Sequence, residues 1–158
     1  MRIVGVDPGL GTTAFAVIED RGSKWVFVKG GEIQDEGGNL AERLVAYFNA
    51  FASFLDQCEP DVVVMEGLFV GKNSKTALLQ AHLRGVLLFC CAQKGVQVVE
   101  YSPAEVKRAI TGKGNATKEQ VGYMVSQVFG VEKLPTHLSD ALACAWCHTL
   151  RSADVIFH

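Results

Sequence analysis

Four side chains of types that suit metal-dependent chemistry stand where the chain should bring them together. Asp7 and Glu66 each end an apolar, β-branched run typical of a buried strand. In a mixed sheet the carboxyl ends of neighbouring parallel strands lie at one edge, so we expect these two carboxylates to meet. His137 and Asp140 lie three residues apart at the start of the last predicted helix, and this spacing puts them on one face. The pattern predicts three carboxylates and one imidazole converging on one place.

A cation is the simplest reason for carboxylates to converge in this way. Without one, like charges at that distance would repel and raise one another's pKa. Oxygen-rich ligands in an open site suit Mg²⁺ or Mn²⁺, which keep water or substrate phosphate in their coordination shells. Two such ions, about 3.5–4 Å apart, activate a water and stabilise the leaving oxygen in phosphodiester cleavage. The joint pattern therefore favours metal-dependent phosphodiester hydrolysis.

Each of these residues also has an ordinary structural explanation. Asp7 precedes Pro8-Gly9 and can cap that turn through an Asx hydrogen bond. His137 can bond to the backbone at a helix start, and Asp140 is a favourable charge in a first helical turn. Singly, such roles are commoner than metal binding, so the functional reading depends on the four residues together.

Five strands and five helices are predicted to hold this cluster. The strands are 3–7 and 14–18 as a hairpin, a third at 24–28 and 32–33 interrupted at Gly30-Gly31, then 61–66 and 96–101. The helices start at the caps Asn39, Ser102 and Thr117 or span 76–94 and 136–150. The order predicts one α/β domain, residues 1–158, with a five-stranded mixed sheet covered by helices on both faces.

Charge is distributed unevenly along the chain. The net charge is −2, but residues 71–118 hold eight basic and two acidic side chains, a local balance of +6. The remainder therefore carries −8. This asymmetry is what a one-sided surface for an anionic ligand would produce, although ordinary solvated helix faces could produce it too.

Cysteine usage and hydropathy place the protein in a broad class. The five cysteines are an odd number on predicted helical segments, which argues against a disulfide framework. Cys144 and Cys147 have zinc-like spacing but no second pair, so we expect reduced core thiols. No run approaches membrane-spanning length and the start lacks a signal-peptide pattern, so a cytoplasmic location is expected.

With these residues identified, the chain resembles the RuvC family of Holliday-junction resolvases, which share the ribonuclease H-like fold. Five stretches carry the resemblance nearly end to end: 5–9 (GVDPG), 65–73 (MEGLFVGKN), 83–85 (LRG), 106–107 (VK) and 137–143 (HLSDALA). The Asp-Pro-Gly turn alone is unspecific. The combination, in this order and in a chain of this length, is highly specific.

The resemblance implies a metal-dependent endonuclease that nicks two strands of a four-way DNA junction symmetrically. Asp7, Glu66 and Asp140 match metal ligands of the family. The remaining ligand position is often aspartate in the family, whereas this chain has His137, as some members do. Imidazole is softer than carboxylate, so we expect faster cleavage with Mn²⁺ than with Mg²⁺.

Further residues match DNA-contacting positions of the family. Lys107 and Lys118 match basic residues near the scissile phosphate, where they would stabilise its charge. Phe69 matches an aromatic residue that contacts junction bases, and simple packing of the ring is an equal alternative. The other basic residues of this region are expected to contact the DNA backbone, with a solvated surface as the alternative: Lys72, Lys75, Arg84, Arg108 and Lys113.

Symmetry predicts a homodimer, because one site per chain cannot cut two strands of a two-fold junction at once. The helix over 76–94 is apolar on most sides, which suits either the contact between two copies or a central core position. The resemblance also implies the RuvA–RuvB branch-migration complex as a partner.

Three other functions remain as alternatives. An RNA-processing nuclease resembling the YqgF family would share the first aspartate motif, but neither the Glu-Gly-Leu-Phe loop nor the basic Gly-Lys-Gly loop is expected there. A non-catalytic junction-binding module would not need an intact ligand set. A nucleotide-phosphate loop of the actin and sugar-kinase type at residues 7–13 would need a second loop and a second domain, for which this chain is too short.

Overall fold

The computed structural model describes residues 1–68 and 71–156, with side chains described as far as residue 153. Five strands and five helices are found in these ranges. In chain order they are β1 (Arg2–Asp7), β2 (Thr12–Asp20), β3 (Trp25–Gln34), α1 (Leu40–Cys58), β4 (Val62–Glu66), α2 (Ser74–Gln93), β5 (Gln97–Tyr101), α3 (Pro103–Thr111), α4 (Lys118–Phe129) and α5 (Thr136–Ile156).

The strands form one mixed sheet in the order β3-β2-β1-β4-β5. The first three strands form an antiparallel β1–β2–β3 meander. The other two contacts, β1 with β4 and β4 with β5, are parallel. The carboxyl ends of β1, β4 and β5 therefore lie at one edge of the sheet, and the predicted five-stranded α/β architecture is confirmed.

Alternating side chains of the central strands divide the core into two layers. Ile3, Val62 and Val64 face α3, α4 and α5, and they pack with buried residues such as Val121 and Leu142. The intervening strand residues face α1 and α2 and pack with a second buried set that includes Val4, Val63, Met65, Tyr47, Phe51, Leu83 and Leu87. Burial on both faces explains why β1 and β4 read as nearly continuous apolar runs.

The predicted interruption of the third strand is wrong, because β3 runs unbroken through Gly30 and Gly31. A Cβ at Gly30 would lie 2.4 Å from Leu138 Cδ1, and one at Gly31 would lie 2.8 Å from the Phe15 ring. The two glycines thus make room for side chains packed on the strand, one of them next to His137 on α5.

The helix starts agree with the cap residues read from the sequence. Asn39, Ser102 and Thr117 each form a capping box with the residue three positions on. Two helices differ from the predicted bounds. Asn73 caps α2, which therefore begins at Ser74, and α5 continues to Ile156, beyond the predicted end at 150.

Helix α2, predicted as apolar on most sides, packs into the core with only one of its faces. Leu83 and Leu87 are fully buried, whereas Leu78 is 65% and Phe89 57% exposed. One side of α2 packs on the sheet and another presents apolar side chains at the surface.

All five cysteines are free and buried, as expected for reduced core thiols. In residues 1–68 and 71–156, no helix combines the length and apolar character that a membrane span requires.

Candidate active site

Asp7 is the last residue of the central strand, between antiparallel β2 and parallel β4. Only 16% of its side chain is exposed. Its Oδ2 lies 3.0 Å from Nδ1 of His137 on α5. Within the described ranges, the hydrogen bond found at this carboxylate comes from His137 and not from a turn N–H, so the structure does not show the Asx cap that was the alternative explanation.

Two buried hydroxyl groups hold the turn that follows Asp7. Thr13 Oγ1 donates to the carbonyl of Gly9 at 2.9 Å and accepts from its N–H at 3.2 Å. The phenol of Tyr47 on α1 donates to the Leu10 carbonyl at 2.5 Å. Sequence reasoning missed both residues. A signal for Tyr47 was available, because a phenol on the apolar face of a helix needs a hydrogen-bond partner once it is buried.

The start of α5 brings two further polar side chains to the same edge. The helix lies so close to β1 that a Cβ on Gly5 would be 1.9 Å from the carbonyl oxygen of Ala141. This close packing places the first turns of α5 beside the carboxyl end of β1. One ligand atom from each of Asp7, His137 and Asp140 lies within 4.8 Å of the others. The structure therefore brings these three residues together, as their spacing in the sequence predicted.

Glu66 faces this group from the end of β4 but is not one of the three closest residues. Burial raises the pKa of Glu66, and the charges of Asp7 and Asp140 raise it further. Burial also raises the pKa of Asp7, with the hydrogen bond from His137 opposing it and the charge of Asp140 adding to it. Negative charge on Asp7 and Glu66 is thus disfavoured, which is the electrostatic setting that a bound cation relieves.

Two lysines complete the lining of the site. Lys118 Nζ lies 3.1 Å from Asp140 Oδ2, and this hydrogen bond raises the pKa of the ammonium group. Lys107 on α3 lines, together with Glu66, Asp140 and Lys118, a cavity of about 260 Å³. Two ammonium groups and two carboxylates thus share the lining of one cavity.

Of the other residues predicted to contact DNA, four are basic and lie at the surface. Lys72, Lys75, Arg108 and Lys113 are exposed and stay predictions as backbone contacts. Phe69 lies outside the described residues.

Arg84 does not have the surface position that the DNA-contact prediction requires. The residue is 7% exposed. Its guanidinium donates to the backbone carbonyl of Glu66 and to the carboxylate of Glu100. Because the side chain is buried and bonded to these two partners, Arg84 supports β4 and β5 rather than forming part of an exposed phosphate-binding surface. Neither contact could be read from sequence spacing, since both partners are distant along the chain.

Known proteins resemble this chain over nearly its whole length. The family model described as crossover junction endodeoxyribonuclease RuvC matches residues 3–148. A protein of that name from Caldicellulosiruptor saccharolyticus is 37% identical, over 99% of this chain and 97% of its own length. Another, from Ruegeria pomeroyi, is 41% identical, over 94% of this chain and 90% of its own length.

A solved structure agrees with the sequence comparisons. Thermus thermophilus RuvC in complex with a Holliday-junction substrate superposes with a TM-score of 0.91 at 28% identity, covering 98% of this chain and 96% of that one. Nearly the whole chain is matched in both sequence and fold. The chain therefore belongs to the RuvC family of crossover junction endodeoxyribonucleases.

Proposed function

We propose that this protein resolves four-way DNA junctions by paired symmetric nicks, through hydrolysis of phosphodiester bonds. The observation that carries the proposal is the convergence of Asp7, His137 and Asp140 within 4.8 Å of one another, with Glu66 facing them, in a chain of the RuvC family. Since junction DNA is the substrate, the protein is expected to work where the DNA is held, in line with the predicted cytoplasmic location.

The donor set fits divalent metal ions. Ligand atoms of Asp7, His137 and Asp140 lie within 4.8 Å of one another, and burial together with nearby carboxylate charge raises the pKa of Asp7 and of Glu66. Asp7, Glu66, His137 and Asp140 would hold Mg²⁺ or Mn²⁺, with two ions per site. Bound there, the ions supply an activated water and charge stabilisation for the leaving oxygen. The imidazole favours Mn²⁺ over Mg²⁺, because Mn²⁺ accepts nitrogen ligands more readily.

The two lysines act on the phosphate rather than on the water. Lys118 Nζ lies beside Asp140, and Lys107 lines the same cavity. A scissile phosphate bound next to the carboxylates would lie within reach of both ammonium groups. They would orient the phosphate and offset the negative charge that develops on it during cleavage.

DNA binding is assigned to the basic region of the chain. The exposed side chains of Lys72, Lys75, Arg108 and Lys113 supply sequence-independent backbone contacts, which suits an enzyme that selects a DNA shape. Phe69, in the segment that leads from β4 to α2, is proposed to stack on junction bases.

A C2 dimer is proposed because two symmetric nicks need two sites. The exposed apolar side chains of α2 support this face as the contact, since Leu78 and Phe89 are mostly exposed and Phe89 lies 6.2 Å, between ring centroids, from Phe48 of α1. The family resemblance further supports delivery to junctions by a RuvA–RuvB branch-migration complex.

The test uses a labelled synthetic junction and a linear duplex of matched sequence. We expect paired nicks in the junction alone, with Mg²⁺ or Mn²⁺ but not with EDTA, and none with the Asp7→Asn variant. Binding of the junction without cleavage in either metal would favour a non-catalytic binding module. Cleavage of structured RNA in preference to the junction would favour an RNA-processing nuclease.

A further inference from the structure

Arg84 approaches the site from the side of the sheet opposite to the carboxylate cluster. Along β4, Val62 and Val64 pack with α5, while Val63 and Met65 pack with the layer that contains α2. Because strand side chains alternate between faces, the side chain of Glu66 points to the α5 side. Arg84 lies on α2, which packs on the other face of the sheet, and only 7% of the residue is exposed.

The guanidinium group joins the ends of two parallel strands. Nη1 donates to the backbone carbonyl of Glu66, the last residue of β4. Nη2 donates to Glu100 on β5, with Oε1 at 2.5 Å. The same group of atoms therefore links α2, β4 and β5 at the edge of the sheet where the carboxylates converge.

The Glu66 carbonyl needs such a donor because the sheet does not extend past it on the β1 side. The pairing of β1 with β4 ends at Val6 and Met65. In β1 the chain then continues through Asp7 to Pro8, which has no N–H to donate. A carbonyl at a buried strand end costs free energy unless it is paired, and Arg84 supplies the pairing as a charged donor.

We propose that Arg84 is a positioning residue for Glu66, which sets the place of that carboxylate in the metal site by fixing its backbone from the opposite face of the sheet. The proposal rests on the function proposed above in one respect, namely that Glu66 holds metal. The planar guanidinium has two donors in fixed relation, so it fixes the Glu66 backbone relative to both α2 and β5. A small displacement of a catalytic carboxylate is enough to slow a reaction by about two orders of magnitude.

Arg2 offers a matched control at the other end of the sheet. Its Nη1 donates to the backbone carbonyl of Cys58 at 2.6 Å, and its Nε and Nη2 donate to the carboxylate of Glu19 at 3.0 and 2.8 Å. Arg2 thus makes the same two kinds of contact as Arg84, but at the start of β1. Asp7 lies five residues further on, at about 17 Å by the rise of a strand.

The experiment compares the wild type with Arg84→Met, Arg84→Lys and Arg2→Met. Mn²⁺ affinity without DNA is measured from the free-ion electron paramagnetic resonance signal, and junction affinity is measured in EDTA. The single-turnover cleavage rate is measured with saturating protein. For Arg84→Met we expect Mn²⁺ affinity at least fivefold weaker and a rate at least tenfold lower, with junction affinity within twofold of the wild type. Arg84→Lys should recover part of both losses, and Arg2→Met should leave both within twofold.

A folded Arg84→Met variant with wild-type Mn²⁺ affinity and rate would overturn the proposal, as would equal losses in Arg2→Met. If Arg84→Met does not fold, Glu100→Leu takes its place, because Glu100 is 44% exposed and leucine removes one of the two hydrogen-bond acceptors of Arg84. Unchanged Mn²⁺ affinity and rate in that variant would also overturn the proposal. Failure of the wild type to cut junctions would defeat the proposed function alone, because the Mn²⁺ affinities of the wild type and Arg84→Met would still test the role of Arg84. A wild type that binds no Mn²⁺ would defeat both.

Discussion

Replacing Gly5 by alanine should separate the two parts of the active site. The added Cβ would lie 1.9 Å from the carbonyl oxygen of Ala141 and 2.8 Å from the backbone nitrogen of Ala145. Ordinary contact begins near 3.4 Å, so α5 must move away from β1 by about 1.5 Å. His137 and Asp140 lie on the same helix, four residues and one residue before Ala141, and would move with it, away from Asp7.

The expected magnitudes follow from this displacement. Overpacking a well-packed core costs about 1–3 kcal/mol, and Gly5→Ala should be at the upper end, because both contacts are with backbone atoms of a helix. A displacement of this size at the chemistry corresponds to a loss of about a hundredfold in cleavage rate.

Gly122→Ala is the matched control. A Cβ there would lie 3.5 Å from Ser139 Oγ, an ordinary contact. Gly122 is inside α4, so alanine should stabilise the fold by up to about 1 kcal/mol through helix propensity.

The assay combines urea denaturation with single-turnover cleavage of a labelled junction. Gly5→Ala should lower both the unfolding free energy and the rate, and Gly122→Ala should lower neither. Wild-type values of both quantities for Gly5→Ala would show that the site does not depend on backbone contact between β1 and α5.

Three further changes test separate parts of the site. Glu66→Gln should abolish cleavage yet raise the melting temperature in EDTA at neutral pH, because burial and the charge of Asp7 raise the Glu66 pKa and make its charged form destabilising. The wild type gains stability as pH falls through that raised pKa, so the difference in melting temperature between variant and wild type should shrink on acidification. His137→Asp should narrow the ratio of the Mn²⁺ to the Mg²⁺ cleavage rate, and a wild type with equal rates in both metals would contradict the assigned role of the imidazole. Tyr47→Phe removes the donor to the buried Leu10 carbonyl and should cost about 1–3 kcal/mol of unfolding free energy, measured in urea.

The parts of the fold that sequence could predict are those governed by local chemistry. Apolar β-branched runs located β1 and β4. The cap Asn39 with the apolar spacing after it located the start of α1, and a capping hydroxyl followed by glutamate or glutamine located the starts of α3 and α4. The strand end at Asp7 and the i, i+3 spacing of His137 and Asp140 were enough to predict that these three residues lie together. Glu66 is close enough for the charges of Asp7 and Asp140 to act on it.

The parts that sequence could not predict depend on distant partners. Gly30 and Gly31 were read as a break in β3, because their reason, room for Leu138 and Phe15, appears only when the layers are packed. Arg84 was read as a surface DNA contact, because nothing in its neighbours along the chain indicates Glu66 and Glu100 as partners. Such tertiary contacts override the local pattern of charge and of glycine.

The central claim is that Asp7, Glu66, His137 and Asp140 hold divalent metal at the end of β1. The direct measurement is an anomalous-scattering map from crystals of the protein soaked in Mn²⁺. We expect an anomalous peak at ligand distance from Asp7 and at least two of the other three side chains, and no such peak in crystals of Asp7→Asn. Mn²⁺ bound elsewhere, with these four side chains free of metal, would show that they do not form the metal site.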